Sequence, residues 1–480
     1  MNTILSCSLA LYALVTVVFL ISENRRPQAT LAWMLAFFVA PGLGLVGYIL
    51  FGRDRKAFSA QSRLLMQDIE ANARPLLSSL MSRQDQAITR LEERDADSRR
   101  LMMLVRRNSY SALTEGNEVA IQQDAAQFYP SLINDMKAAR QSIHLQYYIW
   151  RDDRFTQGLK DILSAKAREG VAVRLLYDPL GSHEGLSRAY IRGMQAAGVR
   201  MAPTSPLYRL HTVSYRNHRK ITVIDGAIGY TGGMNIGQEQ LDGGPGFDSW
   251  RDTQIRIVGG GAAILQAVFM VDWYNAAKEN LFSPDYFPAG EPAAAENGTP
   301  VQILTSGPDS RWAAIRQLYA AMIASAQRRV FLQSPFFIPD ATIAEALKAA
   351  ALAGLDVRVM LSARASGNPI PEWAGNTYIP DIAAAGVSVF LYEKGYLHAK
   401  TLSIDSRVCT IGSANIDIRS FSINYELNAV LYDRLAAMEL ERDFERDLTH
   451  CSRFDPREYS GRAAPVRFRD SLARLLSPLL

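Results

Sequence analysis

One short pattern occurs twice in this chain of 480 residues, and that repetition constrains it more than anything else in the sequence. His218-Arg-Lys220-Ile-Thr-Val-Ile-Asp225 is followed by Gly232-Gly233-Met-Asn235, and His398-Ala-Lys400-Thr-Leu-Ser-Ile-Asp405 by Gly412-Ser413-Ala-Asn415. His, Lys, Asp, Gly and Asn all recur at an offset of 180 positions (398 − 218). A single His-x-Lys-x4-Asp match would carry little weight. Two copies with the same downstream Gly-x-x-Asn demand a duplicated unit whose halves each supply part of a site.

The spacing has a physical reading. Alternate residues of a strand face the same way, so His and Lys two apart point into one site. The apolar residues after each lysine continue the strand. Asp225-Gly226 and Asp405-Ser406-Arg407 are turn sequences leading to return strands at Ile228 to Thr231 and Val408 to Ile411. Each aspartate is thereby placed at the far end of its strand. Asp225 and Asp405 stand with His218, Lys220, His398 and Lys400 as candidate catalytic residues, and a structural role (turn or buried ion pair) is weighed at least equally. The glycines let the return strand end in a tight turn beside a ligand, and Asn235 and Asn415 can donate to phosphate oxygens.

A lone histidine is ordinarily a satisfied interior residue, and His144, His183, His211 and His450 are read that way. A metal cluster is disfavoured, because protonated lysine is no ligand and Cys, Asp or Glu at ligand spacing are missing. No P-loop or dinucleotide fingerprint is present, so no cofactor is expected. A doubled His–Lys pair suits phosphodiester chemistry instead. Lysines and asparagines neutralise the phosphate while one imidazole attacks phosphorus and the other protonates the leaving oxygen.

The rest of the chain fits a duplicated α/β unit with an apolar front end. From Ile4 to Ser22 every residue is apolar or small, and after Glu23-Asn24-Arg25-Arg26-Pro27 a second uncharged run covers Ala29 to Gly52. Each run is long enough to cross roughly 30 Å of hydrocarbon as a helix. A cleaved signal peptide fits poorly, since a basic start is lacking and a second span follows at once. Residues 1–52 therefore read as a transmembrane hairpin, with Pro41-Gly42-Leu43-Gly44 kinking the second helix or making it partly re-entrant. Arg53, Arg55, Lys56 and Arg63 outweigh Arg25 and Arg26 beside Glu23, which places the large domain in the cytoplasm. Residues 53–110, broken by Pro75, read as a helical stalk lying on the membrane or packing against the body.

A first half (111–282) and a second (301–455) follow, separated by a linker at 283–300 that carries four prolines. Strand patterns at Gln141 to Trp150 and Val171 to Tyr177 flank a helix from Thr156 to Glu169. Val330 to Ser334 and Asp356 to Leu361 repeat them, and Ala197-Gly198-Val199 matches Ala385-Gly386-Val387. This alternation argues for an α/β fold with largely parallel strands: two similar α/β/α units related by a pseudo-two-fold axis. The tail, 456–480, alternates Arg with Leu and Phe, and suits either a membrane interface or packing against the body. Three cysteines, Cys7, Cys409 and Cys451, have no ligand spacing and make no disulfide framework, which favours a reducing compartment.

The duplicated motif resembles the phospholipase D superfamily, and the chain as a whole is similar to bacterial cardiolipin synthases. The likeness runs from Leu31-Ala-Trp-Met-Leu-Ala36 and Tyr48-Ile-Leu-Phe-Gly52 through both motifs and Ser306-Gly-Pro-Asp309 to Ala473-Arg-Leu-Leu-Ser-Pro-Leu-Leu480. It implies two phospholipase D-like units and a phosphohistidine mechanism without an obligatory metal, with His218 as nucleophile and His398 as general acid, then base. Acidic residues beyond each motif would orient the histidines: Glu426 in Asn424-Tyr-Glu426 for His398, and Asp252 in Trp250-Arg-Asp252 for His218. The first copy departs from its twin by having Asp at a longer spacing.

The resemblance further implies phosphatidyl transfer between two phosphatidylglycerol molecules at a bacterial inner membrane, giving cardiolipin and glycerol. The expected partners are phosphatidylglycerol and anionic membrane lipid. A hydrolytic phospholipase D, or a transferase using phosphatidylethanolamine as co-substrate, would use the same residues. A nuclease would want a basic groove interleaved with aromatics, against which a net charge of +4 and two apolar runs speak, so no nucleic acid is expected. A non-catalytic scaffold is opposed by two complete motifs. Both half-sites lie in one chain, so the chemistry needs no dimer, and the oligomeric state is left open.

Overall fold

The computed structural model describes residues 2–24, 27–52, 77–78, 82–93, 95–109, 111–205, 214–287 and 298–480. Arg25, Arg26, Arg53, Arg55, Lys56, Arg63, Pro75 and His211, and linker residues 288–297, lie outside the described residues.

The apolar front end forms α1 (Asn2–Ser22), α2 (Pro27–Val39) and α3 (Pro41–Gly47), followed by a single π-helical turn, Tyr48–Gly52. The expected break in the second run falls at Ala40, whose φ of −143° and ψ of 74° lie outside the helical region that a following proline disfavours. Beyond it α3 folds back on α2 so closely that a Cβ on Gly44 would lie 2.6 Å from the Ala36 carbonyl oxygen. Tyr48 is buried against Leu20 and Phe37, edge-on to Trp33, with its hydroxyl bonded to Glu23. Among residues described with their side chains, no helix is long and apolar enough to cross a membrane. Within α1 those side chains are described without interruption only from Leu11 onward.

The body is built on one sheet. The first half supplies β1 (Leu113–Gln122), β2 (Ser142–Tyr147), β3 (Ala172–Tyr177), β4 (Arg200–Pro203), β5 (Ile221–Ile224), β6 (Ile228–Gly232), β7 (Trp250–Arg251) and β8 (Gln254–Val258). The second half begins with β9 (Thr299–Ser306) and continues with β10 (Arg329–Ser334), β11 (Phe337–Ile338), β12 (Asp356–Ser362), β13 (Ser388–Tyr392), β14 (Tyr396–Leu397) and β15 (Thr401–Ile404). It ends with β16 (Val408–Gly412), β17 (Ile416–Asp417), β18 (Glu426–Leu431) and β19 (Cys451–Arg453). Fifteen of these form a continuous sheet in the order β19-β13-β12-β10-β15-β16-β18-β9-β1-β8-β6-β5-β2-β3-β4. Apart from the edge strand β19, the order reads alike outward from the β9–β1 pair, which is the pseudo-two-fold expected of a duplicated unit.

The expectation of largely parallel strands is corrected. Within the fifteen-stranded sheet only β2-β3-β4 and β10-β12-β13 run parallel, each joined through a helix. Every other neighbouring pair in that sheet is antiparallel, and the motif strands are closed by three-residue turns that reverse the chain at once. Asp225 and Gly226 (φ 52° and 66°) lie in one such turn, and Asp405 and Ser406 (both φ 54°) in the other, the residues the sequence marks as turns.

The two halves carry separate cores. One gathers Phe128, Leu145, Trp150, Leu159 and Leu175, the other Leu318, Leu332, Val359 and Leu402, and a third cluster joins them beneath the central strands with Ile257, Phe269, Ile303 and Leu427. The described part of the stalk packs against the body. Helix Ala96–Ser109 buries Leu101, Met102 and Val105 in the second half's core, and Ala87, Ile88 and Leu91 join them.

Candidate active site

Where the halves meet, two short backbone pairings cross the junction. Asn217 bridges Tyr425, so that His218 N–H donates to the Tyr425 carbonyl at 2.9 Å. In the mirror arrangement β7 lies parallel to β14, and His398 N–H donates to the Arg251 carbonyl at 2.7 Å. Each motif histidine is therefore held by the residue just before the other half's carboxylate. The result corrects the expected pairing. Glu426 receives His218, with Nδ1 to Oε2 at 3.0 Å, and Asp252 receives His398, with Nδ1 to Oδ2 at 2.6 Å. The carboxylates serve the opposite half because the strand ends that carry them run across the junction.

An ionised carboxylate can only accept, so each imidazole carries its proton on Nδ1 and turns a lone pair on Nε2 outward. The Lys220 ammonium donates to the His218 carbonyl at 2.6 Å, and Lys400 bonds the His398 carbonyl in the same way. Both lysines are essentially buried, 0% and 1% exposed. Asn235 accepts from Ile149 N–H at 3.1 Å through its carboxamide oxygen, so what it still has to offer is N–H. Asn415 Oδ1 is buried and has no hydrogen-bond partner among the described residues.

Asp225 and Asp405 do not join this cluster. Asp225 accepts from Arg140, Gln141 and Ser142 N–H at 2.7–2.9 Å, and Asp405 from Gln327, Arg328 and Arg329 N–H at 2.8–2.9 Å. Seven residues of extended chain separate each from its histidine, about 20 Å at ~3.3 Å per residue. Of the two roles weighed for them, this placement is that of the structural one: each clamps the entrance of the neighbouring strand. Asp405→Ala will lower unfolding free energy by about 3 kcal/mol, through three backbone N–H donors left without their acceptor and an alanine forced to positive φ. Activity per folded molecule will stay within a few-fold of wild type, as a denaturant titration run beside an activity assay will show.

Several contributors escaped the sequence reading. Ser413 donates through Oγ to Glu426, and its carbonyl lies 3.1 Å from His218 Nδ1. Its first-half counterpart is Gly233, where a Cβ would lie 2.0 Å from Asp252 Oδ1. The Asp/Glu difference between the copies is thus matched by Gly/Ser: the half with glycine leaves room for the shorter acid's carboxylate, and the half with serine hydrogen-bonds the longer acid. The motif Gly-Gly against Gly-Ser was the visible signal. Tyr148 stands edge-on to His218 at 4.9 Å between centroids, and Trp250 to His398 at 5.5 Å, with Tyr396 stacked at 5.7 Å. Aromatics at strand ends were the only hint of them.

Burial governs the electrostatics. It drives the Lys220 ammonium down to about 7 and Lys400 to about 8, against the pull of Glu426 and Asp252. His218 is lowered by burial against Glu426, and His398 falls to about 3 under burial and the Lys400 charge. For Glu426 and Asp252 burial would raise the carboxyl, but the histidine and lysine beside each overcome it and hold both acids ionised. A buried site whose bases are depressed wants an anion. When a phosphodiester enters, its charge favours protonated lysine and imidazole, so binding takes up protons. Through the lysines, whose pKa values rise on binding, affinity holds below about pH 7 to 8 and falls above it, and protonating His398, depressed to about 3, adds a fall that begins at lower pH. Calorimetry with a soluble phosphodiester should show proton uptake near pH 8 and affinity falling up to roughly tenfold per unit for each lysine that must be charged.

Among the described residues no three His, Cys, Asp or Glu side chains gather as metal ligands would. Two buried His–carboxylate couples facing two buried lysines define a class of phosphodiester-transferring proteins with a duplicated half-site. The comparisons make it specific. A family described as cardiolipin synthase, phospholipase D-like domain, matches residues 132–244 and 319–448, and one described as phospholipase D-nuclease N-terminal matches 8–53. The chain is 40% identical over 483 residues to a cardiolipin synthase of Geobacillus kaustophilus (strain HTA426), covering 100% of this chain and 93% of that one. It is 37% identical over 487 residues to the major cardiolipin synthase of Bacillus subtilis (strain 168), covering 100% and 99%. The solved phosphatidylserine synthase of Haemophilus influenzae Rd KW20 shares the fold, with a TM-score of 0.61 at 14% identity over 80% of this chain and 100% of that one. The chain belongs to the cardiolipin synthase family of phospholipase D-type phosphatidyltransferases.

Proposed function

We propose that the chain moves a phosphatidyl group from one phosphatidylglycerol to another through a phosphohistidine on His218. Nε2 of His218 attacks phosphorus, the bond from phosphorus to the glycerol oxygen breaks, and protonated His398 Nε2 hands its proton to the departing glycerol. A headgroup hydroxyl of the second phosphatidylglycerol then gives its proton back to His398 and attacks phosphorus. The phosphorus–nitrogen bond breaks, and cardiolipin leaves. Glu426 stabilises the positive charge that phosphorylation places on the His218 ring, and Lys220, Lys400, Asn235 and Asn415 neutralise the equatorial oxygens. One phosphodiester is exchanged for another, so no nucleotide is needed. The observation that carries this reading is the pair of crossed, buried His–carboxylate couples in a chain that matches cardiolipin synthases from end to end.

The site acts on a bilayer. At ~1.5 Å per residue, the 21 residues of α1 reach about 30 Å, and the bent α2–α3 segment suits a re-entrant second passage with the body in the cytoplasm. The tail supports this reading. Helix Ala464–Arg474 buries Asp470 and Ala473 against the body while Phe468, Leu472 and Leu475 stand 71%, 57% and 74% exposed among arginines. The experiment is to supply phosphatidylglycerol vesicles alone and to wash them with carbonate. Cardiolipin and glycerol in equal amounts, with the protein retained in the pellet, are the expected result. Phosphatidic acid as the only product would make water the acceptor, and release by the wash would refute integral insertion.

A further inference from the structure

The two half-sites differ in one segment that the chemistry above does not use. Asn235 to Asp252 spans 17 positions, whereas Asn415 to Glu426 spans 11, so the first half carries six extra residues. They fall in a stretch that forms a short helix, Glu239–Asp242, a glycine-rich turn with Gly243, Gly244 and Gly246 at positive φ, and Phe247. The segment crosses to the other half. Phe247 lies 5.3 Å from the Tyr396 ring, and β7, which closes the segment, sets Trp250 against both Tyr396 (4.7 Å) and His398 (5.5 Å). The short helix packs against β7 and is pinned by the Arg151–Glu239 ion pair at 2.8 Å and by Gln238 N–H on Asp153 at 2.6 Å.

Within this fixed segment, polar atoms are buried without use. Gln240 is 2% exposed, and neither its carboxamide oxygen nor its nitrogen has a hydrogen-bond partner among the described residues. The Trp250 indole N–H is likewise buried and unpartnered. A buried polar group left without a partner costs about 1–3 kcal/mol, so three such atoms call for an explanation, one on the ring that lies against His398 and two on the short helix packed against the strand carrying that ring. Together they present two donors and one acceptor, the complement of a hydroxylated alcohol. A phosphohistidine exchange demands such a site on one side only, because the leaving and the attacking alcohol occupy the same place by microscopic reversibility, next to the acid–base histidine.

We propose that Gln240 and Trp250 bind the glyceryl headgroup at His398, both as leaving glycerol and as attacking acceptor, and so favour it over water. The proposal rests on His398 being the acid–base residue. The test uses the full chain in mixed micelles, with phosphatidylglycerol and labelled free glycerol as the exchanging alcohol and phosphatidyl-p-nitrophenol as a donor whose leaving group carries no glyceryl hydroxyls. Trp250→Phe keeps the ring and removes the N–H, and Gln240→Met keeps the length and removes both polar atoms. Each should raise the glycerol concentration for half-maximal exchange about tenfold. Each should also lower the ratio of glycerol exchange to nitrophenol release about tenfold, with phosphatidic acid rising in its place. Unchanged half-saturation and ratio would overturn the proposal, as would an equal fall in both reactions, which marks a structural role. Glycerol exchange that survives His398→Ala at the wild-type rate would instead remove the acid–base assignment on which the proposal stands.

Discussion

His218→Ala will abolish cardiolipin formation and also the release of nitrophenol from phosphatidyl-p-nitrophenol, each by at least about 10⁴-fold, whereas His398→Ala will separate the two. The difference follows from what each imidazole is asked to do. Without a nucleophile neither donor can be opened. Without the acid, phosphatidylglycerol cannot release glycerol, because an alkoxide is a poor leaving group, but nitrophenolate departs unaided. His398→Ala should therefore give a burst of nitrophenol close to one equivalent and then stall, since no base remains to activate the acceptor. The stalled protein should carry an acid-labile phosphatidyl group on His218, visible by mass spectrometry of a peptide spanning 216–225. The reverse pattern, a burst from His218→Ala and none from His398→Ala, would exchange the two roles.

The parts of this site that depend on local geometry were legible in the sequence. A two-residue spacing on extended chain was enough to bring His and Lys together, and Asp-Gly and Asp-Ser were enough to mark the turns. The turns also carried the clue to Asp225 and Asp405, because a residue at the far end of a strand cannot reach the near end. What was lost depends on the other half of the molecule. Glu426 and Asp252 sit 11 and 17 positions past the asparagine of their own motif, and nothing local to the chain says that Asn217 bridges Tyr425 or that β7 pairs with β14. Those contacts span more than a hundred and forty positions in sequence, and they turn each carboxylate toward its neighbour's histidine. The same holds for the sheet. Helical crossovers make parallel pairs, and they were visible, but the central strands of the sheet, from β5 and β15 inward to the β9–β1 pair, are all antiparallel to their neighbours.

The crossed wiring makes its own kinetic prediction. Glu426→Gln keeps the shape beside His218 but withdraws the charge that stabilises the phosphorylated ring, and an amide can also hold the imidazole in the wrong tautomer. A loss of about 10²–10⁴-fold in the first chemical step is expected, by analogy with carboxylates that orient a catalytic histidine elsewhere. The burst from phosphatidyl-p-nitrophenol should slow accordingly. Asp252→Asn acts on His398, so its burst should remain fast while steady-state turnover and cardiolipin formation fall by a similar factor. Had each carboxylate served its own half, these two phenotypes would be interchanged, so the comparison tests the geometry and not merely the importance of the residues. A second readout is independent of turnover. A carboxylate-bound Nδ1–H gives a strongly deshielded proton resonance, and the one that Glu426→Gln removes should be the one missing from His218→Ala, while Asp252→Asn and His398→Ala should share the other. Matching signals within the same half would refute the crossed assignment even if every variant were inactive.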